Sequence, residues 1–306
     1  MNIDPFKSQL IIGASVFGIT LLSILIIFHS FCFFFSLFVA WFALQTPGLF
    51  LGFFPKKSFA AKKVFITGDS AGIGKSFSSI LAKNGAQVSG CSRHSEHLIA
   101  DLSSPEDVAK IVANLNETKP ELVILNAGIY GNNLTNTSQI FKMMSVNVDC
   151  NVEIVKSLNY YPDIIVISSI MADVTIPYCE VYCATKAFIT TFFSSLNVTY
   201  PGNILIVSPA TVSTEIFSGE LFGKKSPKEK HGPLILEPDF VADRALRALG
   251  NFSEIHVGLA ANLFIVFSKI IPRGIFGFFS GKFFAWNRKI DEFLLKKMSK
   301  NHEKAK

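Results

Sequence analysis

The sequence predicts an α/β protein: a doubly wound parallel sheet of about seven strands, with apolar segments before and after it. Three observations carry that reading. From Lys63 to Leu259, apolar runs of strand length alternate with amphipathic runs of helix length. A glycine turn, Gly68-Asp69-Ser70-Ala71-Gly72-Ile73-Gly74, joins the first such strand to the first helical pattern. Leu10 to Leu44 contains no Lys, Arg, Asp or Glu.

After a short tail (residues 1–8), residues 9–44 are expected to be a transmembrane anchor. A span needs roughly 20 apolar residues. This segment suffices for one long helix or for two short limbs turning near His29-Ser30. The apolar region of a cleaved signal peptide is only about 7–15 residues long, so the segment is expected to be retained. Lys56, Lys57, Lys62 and Lys63 follow it and Lys7 alone precedes it. That asymmetry places the following domain on the cytosolic side. Residues 45–62, with Thr46-Pro47-Gly48 and Pro55, form a linker.

The α/β domain is expected over residues 63–259. Lys63 to Gly68 reads as the first strand, and the helix after the glycine turn runs to about Asn84. Ala86 to Cys91 reads as a second strand and His97 to Leu102 as a third. The residues between them are too few for a crossover helix, so a bare loop must connect them. Ser103 or Ser104 caps a helix to about Asn116, with Pro105 at its start and Glu106-Asp107 in its first turn. Glu121 to Leu125 is a fourth strand, Phe141 to Leu158 a mostly helical stretch, and Asp163 to Ser168 a fifth strand. A helix from Val181 to about Leu196, a sixth strand at Asn203 to Val207 and a seventh at Ile255 to Leu259 complete the pattern. The polar stretch 209–238, rich in Gly, Lys and Pro, leaves the carboxyl end of the sheet and is read as a substrate lid. Residues 260–306 comprise an apolar segment broken by Lys269, Pro272-Arg273 and Lys282, then a basic tail from Lys289. Charges at those positions suit an element on the membrane surface better than a clean span.

Composition agrees. Hydrophobic residues make up 49%, 31 residues are Phe, and net charge is +6. Mean hydropathy is +0.39. The basic residues sit beside the apolar ends, which suits an anionic membrane surface. No zinc-finger spacing and no aromatic RNA-binding pattern is present, so no nucleic-acid partner and no metal are expected. The five cysteines, Cys32, Cys91, Cys150, Cys179 and Cys183, are odd in number and scattered. They read as reduced thiols used in packing.

The chemistry-bearing residues fall in three places. Strand, glycine turn, helix is the context of a dinucleotide site: the glycines admit the pyrophosphate and the helix N-terminus offers N–H groups. At the end of the second strand, facing the adenosine ribose, an acidic residue would select NAD. Arg93 stands there instead and suits the 2′-phosphate of NADPH. Tyr182 and Lys186 lie four apart, on one helical face, with Ser169 thirteen residues before the tyrosine. An ammonium beside a phenol is expected to lower the phenol's pKa, letting Tyr182 act as general acid while Ser169 bonds a carbonyl oxygen.

Thr67-Gly68, Gly72-Ile73-Gly74, Asp101, Asn126-Ala127-Gly128, Asn147, Ser169, Tyr182 and Lys186, in this order, resemble the short-chain dehydrogenase/reductase family over roughly Lys63 to Leu259. The resemblance implies a Rossmann-like fold and NAD(P)(H)-dependent oxidoreduction. It implies cofactor contacts from Gly68, Ser70, Gly72, Ile73, Gly74, Arg93, Asp101 (at the adenine), Asn126, Gly128, Tyr182, Lys186 (also at the nicotinamide ribose) and Pro209. It further implies that Asn147 holds a water in a proton relay to Lys186. Leu125 stands where the family usually has a first Asn, and the segment between Asn147 and Ser169 is short for the family. Oligomeric state is therefore left open, because family members often pair through helices of this sheet.

The membrane N-terminus, Ser92-Arg93, the run Ala184-Thr185-Lys186-Ala187-Phe188 with Phe192-Phe193-Ser194, and the lysine-ended tail resemble a narrower group. These are the very-long-chain 3-oxoacyl-CoA reductases of the endoplasmic reticulum, relatives of the microsomal 17-beta-hydroxysteroid dehydrogenases. That resemblance implies fatty-acid elongation, other elongation enzymes as partners, and a long-chain acyl-CoA ketone as substrate. A sphingoid ketone, as for 3-ketodihydrosphingosine reductase, and a steroid or retinoid are the alternatives. A non-catalytic lipid-binding scaffold would instead be favoured by a degraded Ser169, Tyr182 or Lys186, and none is degraded.

Overall fold

The structure is a computed structural model that describes residues 5–46, 51, 54–55, 57–130, 137–176, 179–214, 235–272, 274–279 and 281–282. The chain divides into two compact units, Met1–Gln45 and Thr46–Lys306.

The first unit is one unbroken helix, α1 (Pro5–Gln45). Of the two forms open at His29-Ser30, the chain takes the single long helix. Its segment Phe17–Phe42, 26 residues, is long and apolar enough to cross a membrane. At ~1.5 Å per residue it reaches about 40 Å, more than the ~30 Å hydrocarbon core. Phe17, Leu22, Ile27 and Phe34 are all exposed. The hydroxyls of Ser23 and Ser36 donate to the carbonyls of Ile19 and Cys32, each at 2.8 Å. Those bonds satisfy the polar atoms that hydrocarbon would not.

The second unit is built on a seven-stranded sheet in the order β3-β2-β1-β4-β5-β6-β7. The strands are β1 (Lys63–Thr67), β2 (Gln87–Ser92), β3 (Leu98–Ile99), β4 (Leu122–Leu125), β5 (Asp163–Ile167), β6 (Ile204–Pro209) and β7 (Glu254–Val257). Every pairing is parallel. A parallel sheet must be covered on both faces, so its strands are apolar throughout rather than alternating. Side chains still alternate between two cores. Val64, Ile66, Leu122 and Ile124 pack with Phe77 and Leu81 of α2 (Gly72–Lys83) and Val241 and Leu246 of α7 (Pro238–Ala248). Phe65, Val123, Leu125 and Val166 pack on the other face with α3 (Pro105–Thr118), α5 (Cys150–Lys156) and α6 (Glu180–Asn197), through Ile111, Ile154 and Phe193. Strand order reverses between β1 and β4, and there a doubly wound sheet opens a ligand crevice beyond its carboxyl ends.

Several elements differ from expectation. The third strand keeps only Leu98–Ile99, because the chain turns at once into the cap of α3. There Asp101 Oδ1 accepts from the Ser103 N–H (2.9 Å), and the Ser104 hydroxyl accepts from the Asp107 N–H (3.2 Å). No helix separates β2 from β3, as the short connection requires. The stretch Phe141 to Leu158 is not one helix. It is α4 (Thr137–Met144), a π-helical turn (Ser145–Asp149) and α5. Helix α7, with Pro in its first turn, had no counterpart in the sequence reading.

Of the lid 209–238, residues 215–234 lie outside the described residues, as does the basic tail. The two described ends of this stretch are joined. Val212 bridges Leu236, the Ser213 N–H donates to the Leu236 carbonyl (2.8 Å), and the Leu236 N–H donates to the Thr211 carbonyl (2.9 Å). In the C-terminal segment, helix α8 (Leu259–Ile270) buries Ala261, Ile265 and Val266, while Leu263, Phe267 and Ile270 are exposed. Residues 274–279 are helical, with Phe278 and Phe279 exposed and Lys282 Nζ 5.5 Å above the Phe278 ring.

Candidate active site

A cavity of about 850 Å³ runs along the carboxyl edge of the sheet. Gly68, Ser70, Gly72, Ile73, Arg93, Asp101, Asn126, Gly128, Ser169, Tyr182, Lys186 and Pro209 all line it, so the chain brings these sequence-predicted residues to one place.

At one end lies the glycine turn. Gly68 has φ +71° and Gly72 φ +54°, the left-handed region that glycine enters without cost. Gly72 lies under Thr214, whose Cγ2 would be 3.0 Å from an added Cβ. Gly74 is different. It is buried, does not line the cavity, and an added Cβ would run into the Gly68 carbonyl oxygen. The close fit allows α2 to pack against the end of β1. Asn126 is likewise a latch. Its Nδ2 donates to the carbonyls of Thr67 (3.0 Å) and Gly68 (3.1 Å), and its N–H donates to Thr67 Oγ1 (3.0 Å). These bonds tie β1 to β4 at the switch point. The turn thus has the close backbone approach and exposed helix N-terminus that a dinucleotide pyrophosphate needs. Arg93 is exposed at the end of β2 and lines the cavity with His94. Asp101 has its carboxyl held below the ordinary aspartate range, first by the Ser103 N–H and then by the Ser103 hydroxyl.

At the other end stands the Ser169–Tyr182–Lys186 trio. Ser169 begins a 3₁₀ turn (Ile170–Ala172) just beyond β5, and its Oγ accepts from the Met171 N–H (3.2 Å). Its neighbour Ser168 also lines the cavity, but its hydroxyl is engaged with the Lys186 carbonyl (3.2 Å) and the Thr190 hydroxyl (2.7 Å). The Ser169 hydroxyl is the one that bonds Tyr182. Tyr182 and Lys186 project from the first turns of α6, and both are buried. Lys186 Nζ lies 5.8 Å from the Tyr182 ring centroid and donates to the Ile167 carbonyl at 2.8 Å. Burial lowers the Lys186 pKa from 10.5 to about 8. The expected depression of the Tyr182 phenol by Lys186 is not what the site shows. Burial dominates and pushes the phenol up, and the Ser169 hydroxyl bond is what opposes it.

Asn147, expected to hold a water in a relay to Lys186, is bonded to several protein groups. It sits in the π-helical turn, 1% exposed and behind the cavity wall. Its Oδ1 accepts from the Ile129 N–H (2.8 Å), and its Nδ2 donates to the Ile129 carbonyl (3.0 Å) and the Thr185 hydroxyl (3.1 Å). Its main-chain carbonyl accepts from Asn151 Nδ2 (2.9 Å). Its side chain is spent on Ile129, in the loop that follows Gly128, and on Thr185, so it braces the wall beside Lys186.

Sequence reasoning missed Tyr130, Lys142, Thr214 and Phe264, which also line the cavity. Tyr130 packs edge-on to Tyr182, with centroids 5.2 Å apart at 74°, and its hydroxyl lies 3.4 Å from Cys179 Sγ. It follows Asn126-Ala127-Gly128 by two residues, a signal that was there to use. Phe264 stacks edge-on with Phe276 at 5.1 Å. With Met143, Met171, Val174 and Ile176 these rings surround Tyr182 in an apolar cluster. Burial pushes Cys183 up to about 12, so this thiol is a packing residue rather than a nucleophile.

A glycine turn on a parallel sheet, opening onto a Ser-Tyr-Lys site, defines a dinucleotide-binding oxidoreductase. Residues 62–221, over half of the sequence, match the family described as short chain dehydrogenase, and the chain belongs to it. It is an oxidoreductase of that type, using NAD(P). Dehydrogenase/reductase SDR family member 7B of Xenopus laevis is 26% identical over 265 residues, 72% of this chain and 82% of that protein. Among solved structures, a short chain dehydrogenase from Burkholderia cenocepacia in complex with NADP has a TM-score of 0.58 at 19% identity, covering 69% of this chain and 94% of its own. The 3-ketoacyl-(acyl-carrier-protein) reductase from Brucella melitensis, complexed with NADH, has a TM-score of 0.55 at 20% identity, covering 65% and 98%.

Proposed function

We propose that this chain is a membrane-anchored, NADPH-dependent reductase of a lipid ketone, converting a long-chain 3-oxoacyl-CoA to the 3-hydroxyacyl-CoA as in very-long-chain fatty-acid elongation. The observation that carries this reading is one cavity with two unlike ends: a glycine cradle beside Arg93, and a Ser-Tyr-Lys trio walled by Tyr130, Phe264 and Met171. An apolar wall around the reacting groups suits an acyl chain. The apolar α1 and the exposed apolar face of α8 support a site at a membrane, which we place at the endoplasmic reticulum with the reductase domain toward the cytosol. The same reading divides the chain into an anchor over 9–44, a reductase domain over 63–259 with a lid at 209–238, and a membrane-lying segment from 260.

The residues fit the dinucleotide. The turn from Gly68 to Gly72 would hold its pyrophosphate, Arg93 its 2′-phosphate, and Lys186 its ribose. When bound, NADPH supplies the hydride. Ser169 bonds the ketone oxygen and aligns it. Tyr182 gives that oxygen its proton. A raised phenol pKa keeps Tyr182 protonated in the resting site, as a general acid must be. Lys186, whose pKa burial lowers to about 8, would hold the ribose hydroxyls and supply the proton that Tyr182 gives up. Asn147 braces the wall beside Lys186.

The test is purified full-length chain with NADPH, given a long-chain 3-oxoacyl-CoA and 3-ketodihydrosphingosine side by side. Oxidation of NADPH with the acyl-CoA, lost in Tyr182→Phe at unchanged NADPH binding, supports the reading. Turnover of the sphingoid alone would move the substrate to sphingolipid synthesis. Full activity in Tyr182→Phe would remove the general acid.

A further inference from the structure

The Ser169 turn ends as purposefully as it begins. Ser169 caps its start and Asp173 its end. Asp173 Oδ2 lies 3.2 Å from His256 Nε2, and Glu254 Oε1 lies 3.8 Å from the same nitrogen. With Asp173 ionised, the imidazole N–H donates. His256 and Glu254 are on the edge strand β7, and His256 is buried at 6% exposure. Burying an imidazole costs free energy unless it is bonded, and an apolar side chain would cover this edge without that cost. The polar choice therefore calls for a reason.

Its surroundings supply one. The His256 carbonyl accepts from Asn262 Nδ2 of α8 (2.8 Å), two residues before Phe264, which lines the cavity. The charged groups that meet here come from three elements: Asp173 from the serine turn, Glu254 from β7, and Lys269 from α8. Burial, then Asp173, push the Glu254 carboxyl up, while His256 and Lys269 act against them. One buried histidine thus joins the turn that aims Ser169 to the helix that walls the substrate end.

We propose that Asp173 and His256 are positioning residues for the reduction: their bond fixes the Ser169 turn against β7, so that the Ser169 hydroxyl is held where the ketone oxygen must sit. This rests on the reading of Ser169 as the carbonyl-binding group. Neither residue touches substrate. A turn of three residues is easily displaced, and small misplacements of a bonding group cost rate rather than binding.

The test is epistasis in steady-state kinetics of the full-length chain with NADPH and a long-chain 3-oxoacyl-CoA. Asp173→Ala and His256→Ala are each expected to lower kcat by about tenfold, with NADPH affinity unchanged, and the double variant to be no worse than the poorer single. Asp173→Asn, which can still accept the imidazole N–H, recovers most of the loss. In a Ser169→Ala background, Asp173→Ala adds nothing. An unchanged kcat per folded site overturns the proposal. So does an Asp173→Ala penalty that is as large without the Ser169 hydroxyl as with it. A wild-type kcat lost to chelation and restored by a divalent cation would make the cluster a metal site instead, since its three ligand atoms lie within 4.8 Å of one another. If Ser169→Ala itself leaves kcat intact, the functional reading fails first and this one with it.

Discussion

The two ends of the cavity are built on opposite principles. The nucleotide end is backbone: Gly68, Gly72 and Gly74 matter for the side chains they lack, and Asn126 serves to lash two strand ends together. The substrate end is side chains: Tyr130, Met171, Phe264 and Phe276 gather around Tyr182 from segments far apart in sequence. The first end tolerates little change, because an added atom at Gly68 or Gly74 meets main chain. The second can be re-cut, because each ring meets another side chain. Within a shared fold, cofactor binding is therefore rigid and substrate choice plastic.

The sharpest way to break this contrast is Gly74→Ala. The new Cβ would collide with the Gly68 carbonyl and approach Asn126 Nδ2 to 2.5 Å, and neither can yield without moving the turn. NADPH affinity should fall by at least about a hundredfold, with a lower melting temperature, as for overpacking at a close backbone contact. Fluorescence titration of NADPH measures the first and thermal denaturation the second. Near-native affinity would show that the turn is as plastic as the far end.

This asymmetry also explains what the sequence disclosed. A turn that only glycine can make, and a Tyr and Lys one helical turn apart, are local patterns, and both were legible. So was the bare β2–β3 connection, which follows from counting residues. Tyr130, Phe264 and the Asp173–His256 bond depend on which segments meet, which no local pattern states. Phe264 was read only as part of a membrane segment, yet its helix has two faces, one toward Tyr182 and one outward. Asn147 and Gly74 were found by motif, but the support they give through hydrogen bonds and close packing was not written in it. The Lys186 expectation failed for a related reason: burial dominates the titration of both groups, and burial is not written in a four-residue spacing.

Arg93→Asp tests whether the nucleotide end holds any side-chain choice. Replacing a cation with an anion beside the ribose should lower the preference for NADPH over NADH by about ten- to a hundredfold, the worth of a charged hydrogen bond plus new repulsion. The ratio of kcat/KM for the two cofactors reads it directly. An unchanged ratio would leave cofactor choice to main chain, or to Lys142. At the other end, Phe264→Ala should raise KM for a long-chain 3-oxoacyl-CoA by about tenfold, from ~1–2 kcal/mol of lost apolar contact. A short-chain ketone and NADPH affinity should be unaffected. An equal loss for short and long chains would mean that Phe264 supports Tyr182 and not the acyl chain.

The smallest effect is expected where the two ends meet, at Lys186. Its pKa is about 8 in the folded chain, against 10.5 ordinarily, because it is buried. Between those values the unfolded chain carries a proton that the native chain lacks, so stability gains from this group as pH rises from about 8 toward 10 and loses as pH falls back. Cys183 and Cys150, pushed up to about 12 by burial, work in the opposite direction above about pH 9. Both are present in either protein if wild type is compared with Lys186→Met, so the Cys183 contribution cancels, and that of Cys150 cancels except for its charge interaction with Lys186. The wild-type melting temperature minus that of the variant should therefore climb over pH 8 to 10, by a few degrees at most. Parallel curves would mean that the lysine keeps its proton in the folded state. The ammonium would then be held by the Ile167 carbonyl against the cost of burial, and Lys186 would belong with the rigid end of the cavity rather than at its hinge with the apolar one.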